Sequence, residues 1–168
     1  LAIFSNIVHL GADPALVGFV NRPMEAAPHT ISNIESTGWY TINLIPASLS
    51  LKAHQTSAKY GPGQSEFDAV GFTPQWKDGI PAPFVRECKV KFALKLQEII
   101  PIKWNQTFFV IGSIEHLIVE EVILEEDGFL SLEKADTICS LGLDGYYLPQ
   151  KLARYAYAKP GKTAAVIG

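Results

Sequence analysis

The sequence predicts a mainly β fold, an antiparallel barrel decorated by two or three short helices, and three observations carry that expectation. From Cys88 to Ile100, Val90, Phe92, Leu94 and Leu96 alternate with Lys89, Lys91, Lys95 and Gln97, the period-two pattern of a half-solvated strand. Thr107 to Glu121 returns through Phe109, Ile111 and Ile114, so the two stretches form a long hairpin around Pro101 to Asn105. Elsewhere, strands follow one another across turn signals without the regular strand–helix alternation of βαβ units.

The remaining elements follow in order. Leu1 to Leu10 mixes β-formers with Ser5, Asn6 and His9 and reads as a first strand whose far end exposes polar groups. Because Leu1 is no methionine and already reads as strand, a further N-terminal strand is expected upstream. Gly11-Ala12-Asp13-Pro14 turns the chain, and Ala15 to Val20 is a short apolar run of buried-strand length. Thr30 to Thr37 is a helix with Thr30 at its N-cap and Gly38 as its left-handed C-cap. Trp39 to Ile45 is a strand that Pro46 stops. Ala47 to Lys59 is a second helix with Leu49, Ala53 and Thr56 or Ser57 on one face, ended by Tyr60-Gly61-Pro62-Gly63. Ser65 to Asp68 gives one helical turn before Gly71. Phe72 to Pro83, with its prolines, is expected to be an irregular packed loop. Asp127-Gly128 turns the chain again, Leu132 to Leu141 reads as a short helix, and Gly142 to Tyr147 breaks it before a polar tail.

Composition narrows the function. With 168 residues, 48% of them hydrophobic, the chain can bury a sizeable core and reads as one domain over 1–168. A net charge of -3 with scattered basic residues gives no cationic face for nucleic acid, and no apolar run is long enough for a membrane helix. Cys88 and Cys139 lack CxxC spacing and read as reduced thiols, which points to the cytoplasm. His9, His29, His54 and His116 are too dispersed for a metal site. There is no GxSxG, HExxH or P-loop, and the acidic pairs near Glu120 and Glu125 read as a solvated rim, so no residue is assigned to acid–base catalysis.

One stretch asks for a ligand. Asn21 to Ile34 offers Arg22 as a two-pronged donor, Pro23 to restrict the backbone beside it, and Thr30 where a helix opens with free backbone N–H groups. Singly, Thr30 reads as a cap and Arg22 as a surface charge. With Asn21, Ser5 and Asn6 at neighbouring strand ends, they describe a cradle for a phosphorylated small molecule, and His29 is a candidate contact beside it.

The order of these motifs resembles the flavin reductase-like family of FMN-binding split barrels from Leu1 to about Tyr147. The resemblance rests on Ser5-Asn6, Asp13-Pro14, Asn21-Arg22-Pro23, His29-Thr30 with Asn33-Ile34, and Trp39 to Leu44. It continues in Ala53 to Tyr60, Gly71-Phe72-Thr73-Pro74 and Val110-Ile111-Gly112. It implies a Greek-key split barrel that forms a homodimer with FMN near the interface. It also implies phosphate-side roles for Arg22 and Thr30, ring or ribityl contacts for Ser5, Asn6 and Asn21, and further contacts from Ser57 and Tyr60. Gly142 to Tyr147 matches the family's Gly-rich, Tyr-containing segment only loosely, which bears on Tyr147 as a ring-side residue. The implied activity is hydride transfer from NAD(P)H to flavin. The alternatives are an FMN-binding electron carrier or sensor without reductase turnover, and a scaffold that has lost its flavin.

Overall fold

The computed structural model describes residues 1–61 and 63–168; the glycine turn expected at Gly61 to Gly63 includes Pro62, which lies outside the described residues. Its strands are β1 (Ile7–Ala12), β2 (Ala15–Asn21), β3 (Trp39–Asn43), β4 (Pro74–Lys77), β5 (Ile80–Val85), β6 (Val90–Ile102), β7 (Thr107–Val119), β8 (Cys139–Leu141) and β9 (Gly145–Tyr147). Its helices are α1 (Pro28–Thr37), α2 (Ser50–Gln55), α3 (Glu66–Val70) and α4 (Leu132–Ala135), with single 3-10 turns at Ala47–Leu49 and Glu121–Ile123. A five-stranded antiparallel sheet runs β1-β2-β7-β6-β3, so the β6–β7 hairpin inserts between β2 and β3 in Greek-key fashion. The β4–β5 hairpin lies against β3, where Thr41 Oγ1 donates to the Pro83 carbonyl (2.7 Å) and the Val85 N–H donates to Asn43 Oδ1 (2.9 Å). This is the mainly β, antiparallel split barrel with short helices that the sequence pointed to.

Two glycines inside strands are required by close approach. A Cβ on Gly18 would lie 2.3 Å from Phe109 Cζ, and one on Gly112 would lie 2.3 Å from Tyr40 Oη, so the Phe109 ring lies on the adjacent strand β2 and the Tyr40 ring reaches across β6 to β7. Beneath them Phe19, Tyr40, Leu94 and Val110 form a core cluster that receives Ile31 and Ile34 of α1. These two residues are three apart, the spacing that puts them on one helix face. A second cluster joins Ala53 of α2 to Phe67, Phe72, Val85 and Cys88.

Several expectations need correction. The first strand starts at Ile7, not Leu1. The Asn6 side chain itself donates to the Val20 carbonyl (3.2 Å) and accepts from the Val20 N–H (3.0 Å), substituting for a backbone neighbour, while Leu1 and Ile3 turn into the second cluster. The first helix opens at Pro28, whose fixed φ suits the first helical position, so Thr30 sits inside the first turn and Ala27 is the N-cap. The second helix is shorter than Ala47 to Lys59. Thr56 Oγ1 and Ser57 Oγ return to the Ala53 and His54 carbonyls (both 2.7 Å) and close it after Gln55.

The expected loop of Phe72 to Pro83 is largely the β4–β5 hairpin, turning at Asp78-Gly79 with Gly79 at φ 79°. Strand β6 runs on through Pro101, which pairs with Phe108, to Ile102. Lys91 is not solvated: it is 5% exposed and donates to Gln75 Oε1 (2.6 Å) and the Arg86 carbonyl (3.2 Å), because the β4–β5 hairpin covers that face. The helix expected over Leu132 to Leu141 stops at Ala135, where Asp136 adopts φ 55°, and the chain then forms the β8–β9 hairpin.

Candidate functional site

Asn21 ends β2 fully buried, and its Nδ2 donates to the carbonyls of Arg22 (2.8 Å) and Ala27 (3.5 Å). It thereby ties together both ends of the loop that precedes α1. Inside that loop the Pro23 carbonyl accepts from the N–H groups of Ala26 (2.9 Å) and Ala27 (3.0 Å), which makes it a compact turn. Asn21 Oδ1 is buried and has no partner among the described residues, leaving one acceptor available on the underside of the turn.

Arg22 leaves this turn exposed, and among the described residues its guanidinium has no hydrogen-bond or ion-pair partner. Beyond it, α1 begins with Ala27 at the N-cap, a residue with no side-chain acceptor, and Pro28, which has no N–H. The N–H groups of His29 and Thr30 therefore open the helix without a side-chain cap, at the positive end of a ten-residue helix dipole. His29 is exposed and Thr30 half-buried. Asn21, Arg22, His29 and Thr30 thus belong to one constellation: a buried brace, an unpaired guanidinium and an uncapped helix start. Its chemistry suits a phosphate, which takes hydrogen bonds only as an acceptor.

The other expected contacts lie differently. Asn6 joins β1 to Val20, the residue before Asn21, and acts as a brace. Ser57 gives its hydroxyl proton to the His54 carbonyl (2.7 Å), and Tyr60 gives its proton to the Gln55 carbonyl (3.1 Å). Both side chains therefore cap the end of α2, and an anion there would compete with helix carbonyls for their protons. Ser5 Oγ donates to the Gly142 carbonyl (3.4 Å), which draws the N-terminal segment toward the turn of the β8–β9 hairpin.

That hairpin supplies a residue that sequence reading did not single out. Tyr146 Oη lies 2.8 Å from His54 Nδ1, with the two rings perpendicular, whereas Tyr147 is largely exposed. The partners are 92 residues apart in sequence, so no local signal joins them. Burial, and then the nearby Asp144 carboxylate, push the Tyr146 phenol above its usual range.

The fold defines a split-barrel protein in which a compact turn leads from the second strand to a helix start without a side-chain cap. Comparison with known proteins agrees: the flavin reductase like domain model matches residues 1–133, and the chain belongs to the flavin reductase-like family. It is 44% identical to a Shewanella frigidimarina NCIMB 400 protein described as a flavin reductase with split barrel domain. The TM-score is 0.88, over 94% of this chain and 78% of that one. Flavoredoxin of Desulfovibrio vulgaris (Miyazaki F) superposes with a TM-score of 0.80 at 23% identity, over 96% of this chain and 84% of that one. A protein of undescribed activity from Aquifex aeolicus (strain VF5) is 27% identical over 139 residues, 83% of this chain and 70% of that protein. Among the described residues, no helix is long and apolar enough to cross a membrane.

Proposed function

We propose that this protein is an FMN-binding, NAD(P)H-dependent flavin reductase that works as a cytoplasmic homodimer. The observation that carries the reading is Arg22, whose guanidinium has no partner among the described residues, on the turn that Asn21 ties to the uncapped start of α1, in a chain of the flavin reductase-like family. Arg22 would hold two phosphate oxygens at once, with the His29 and Thr30 N–H groups and the Thr30 hydroxyl completing the grip. Asn21 keeps that grip in place from beneath through its bonds to the Arg22 and Ala27 carbonyls. Asn6 and Ser5 fix the strand and turn nearest the ring end. Ser57 and Tyr60 contribute by ending α2 rather than through free protons.

Bound flavin supplies the hydride acceptor, so the chain needs to bind, orient and shield rather than to act as acid or base. Exposed Ile7, Val8 and Leu10 on edge strand β1, with Trp104 at the tip of the β6–β7 hairpin, support a partner subunit.

Titrating FMN into the purified protein tests the reading through quenching of flavin fluorescence. Wild type should bind, and Arg22→Ala should weaken binding about tenfold to a hundredfold, the weight of a charged hydrogen bond. A colourless protein that does not quench FMN sinks the proposal. Anaerobic mixing of the loaded protein with NADH or NADPH then separates reductase from carrier: rapid bleaching supports the reductase, and persistent yellow supports an electron carrier or sensor.

A further inference from the structure

Beyond β9 the chain folds back on itself as a narrow antiparallel ribbon over residues 154–168. Tyr155 bridges Val166 and Lys159 bridges Lys162, while the Ala156 N–H donates to the Ala165 carbonyl (2.8 Å) and the Ile167 N–H to the Arg154 carbonyl (2.9 Å). Successive side chains of such a ribbon point to opposite faces. One face is seated on the body: Arg154 lies against the Phe129 ring and pairs with Asp127, and Ala156, two positions on, is half-buried. The opposite face presents Tyr155, Tyr157 and Val166, all largely exposed, and ends at its turn in Lys159 and Lys162. Neither lysine has an ion-pair partner among the described residues. The ribbon and the residues leading into it carry Lys151, Arg154, Lys159 and Lys162 and no carboxylate side chain, whereas all 17 acidic residues of the chain precede Gly145.

The body carries a strip of the complementary kind at residues 120–126. Glu120, Glu121 and Glu126 are exposed there and have no ion-pair partner among the described residues. The 3-10 turn Glu121–Ile123 sends Ile123 into the core, which leaves its neighbours Val122 and Leu124 exposed between the glutamates. Acidic groups around an apolar centre match cationic groups beside an aromatic one in both charge and hydrophobicity. The ribbon does not bring its tyrosine face to the strip of its own chain, because the Arg154 face is the one fixed to the Asp127–Phe129 loop that follows that strip.

We propose that the 154–168 ribbon is an arm that clasps the 120–126 strip of a second copy of this chain. Lys159 and Lys162 meet the glutamates, and the tyrosine face covers Val122 and Leu124. Each copy carries both an arm and a strip, so one two-fold axis satisfies both contacts together and the assembly closes as a dimer. The choice of a second copy rests on the homodimer reading above, whereas the complementarity of arm and strip stands without it.

Sedimentation velocity of the full chain tests this with two charge-reversed variants, Lys159→Glu with Lys162→Glu on the arm and Glu120→Lys with Glu121→Lys on the strip. Wild type should dimerise with a Kd that rises with sodium chloride concentration. Either variant alone should dimerise about tenfold or more weakly, because its arm and strip then carry like charges. An equimolar mixture of the two should recover the wild-type Kd, since each arm now meets a strip of opposite sign on the other chain, and that recovery also shows that both variants are folded. A wild-type Kd in each separate variant overturns the arm and leaves the homodimer standing on another surface. A monomeric wild type overturns the arm and the homodimer reading together. A mixture no tighter than its components overturns the arm as well. Binding of wild type to phosphatidylglycerol vesicles or to single-stranded DNA, lost in the arm variant while its dimer Kd stays unchanged, would overturn the proposal by giving the arm to a lipid surface or a nucleic acid.

Discussion

Tyr40 gives the most direct test of the packing beneath the cradle. It is 7% exposed, packs edge-on against Phe19 with ring centroids 5.5 Å apart, and its Oη has no partner among the described residues. A buried hydroxyl without a partner forfeits about 1–3 kcal/mol of solvation, so Tyr40→Phe should raise stability by about 1 kcal/mol. The same hydroxyl is the nearest obstacle to a side chain at position 112. A Cβ on Gly112 would meet Oη at 2.3 Å, Cζ at 2.9 Å and Cε1 at 3.0 Å. Gly112→Ala should therefore cost about 1–3 kcal/mol through overpacking. The cost should fall by about 0.5–1 kcal/mol in the Tyr40→Phe background, because the worst contact is gone while the ring carbons remain.

The pair also has a pH signature. Burial raises the Tyr40 phenol above its ordinary 10.0. Above that pH the unfolded chain loses a proton that the folded chain keeps, so stability falls as pH rises. Below it the group contributes no slope, and Tyr40→Phe should remove this part of the alkaline decline. Urea unfolding of wild type, both single variants and the double variant, at pH 7 and near pH 11, measures all of these. Loss of more than about 1 kcal/mol in Tyr40→Phe at pH 7 would refute the argument by showing that the hydroxyl has a partner. Strict additivity of the two substitutions would refute the steric part.

Other outcomes follow from the same coordinates. Asn21→Ala should lower stability by about 1–2 kcal/mol and weaken FMN binding, because the turn bearing Arg22 loses its tie; unaltered FMN affinity by fluorescence would contradict the bracing role. Buried Cys88, its thiol pushed up to about 11 by burial, should resist iodoacetamide while exposed Cys139 reacts, and peptide mapping after brief alkylation distinguishes the two. Arg154 lies 4.0 Å from the Phe129 ring centroid and pairs with Asp127, so Arg154→Ala should free the C-terminal tail and speed its cleavage by trypsin at Lys162; an unchanged digestion rate would show that the tail is held elsewhere.

The β6–β7 hairpin was legible because alternation over thirteen-residue strands is a local property of the chain. The buried run of β2, the Gly38 cap and the grouping of Asn21, Arg22 and Thr30 were legible for the same reason, each being a pattern of near neighbours. The β4–β5 hairpin was hidden by its prolines, although Asp78-Gly79 marked its turn. Pro74 sits at the first strand position, and Pro81 and Pro83 fall between the Gln75–Phe84 and Lys77–Ile80 pairs, where the register shifts, as a two-stranded edge hairpin permits.

The residues by themselves determined the antiparallel barrel and the donor types carried by the stretch from Asn21 to Thr30, since turn chemistry, periodicity and charge act over a few positions. Only the tertiary structure decided how those donors are committed. It buried Asn21 as a brace, left Arg22 without a partner among the described residues, turned the hydroxyl protons of Ser57 and Tyr60 back onto α2, buried Lys91 beneath a hairpin, and brought Tyr146 to His54 across 92 residues. Each of these depends on which surfaces pack together, and a hydrogen-bonding group acquires its partner only when the chain has closed around it.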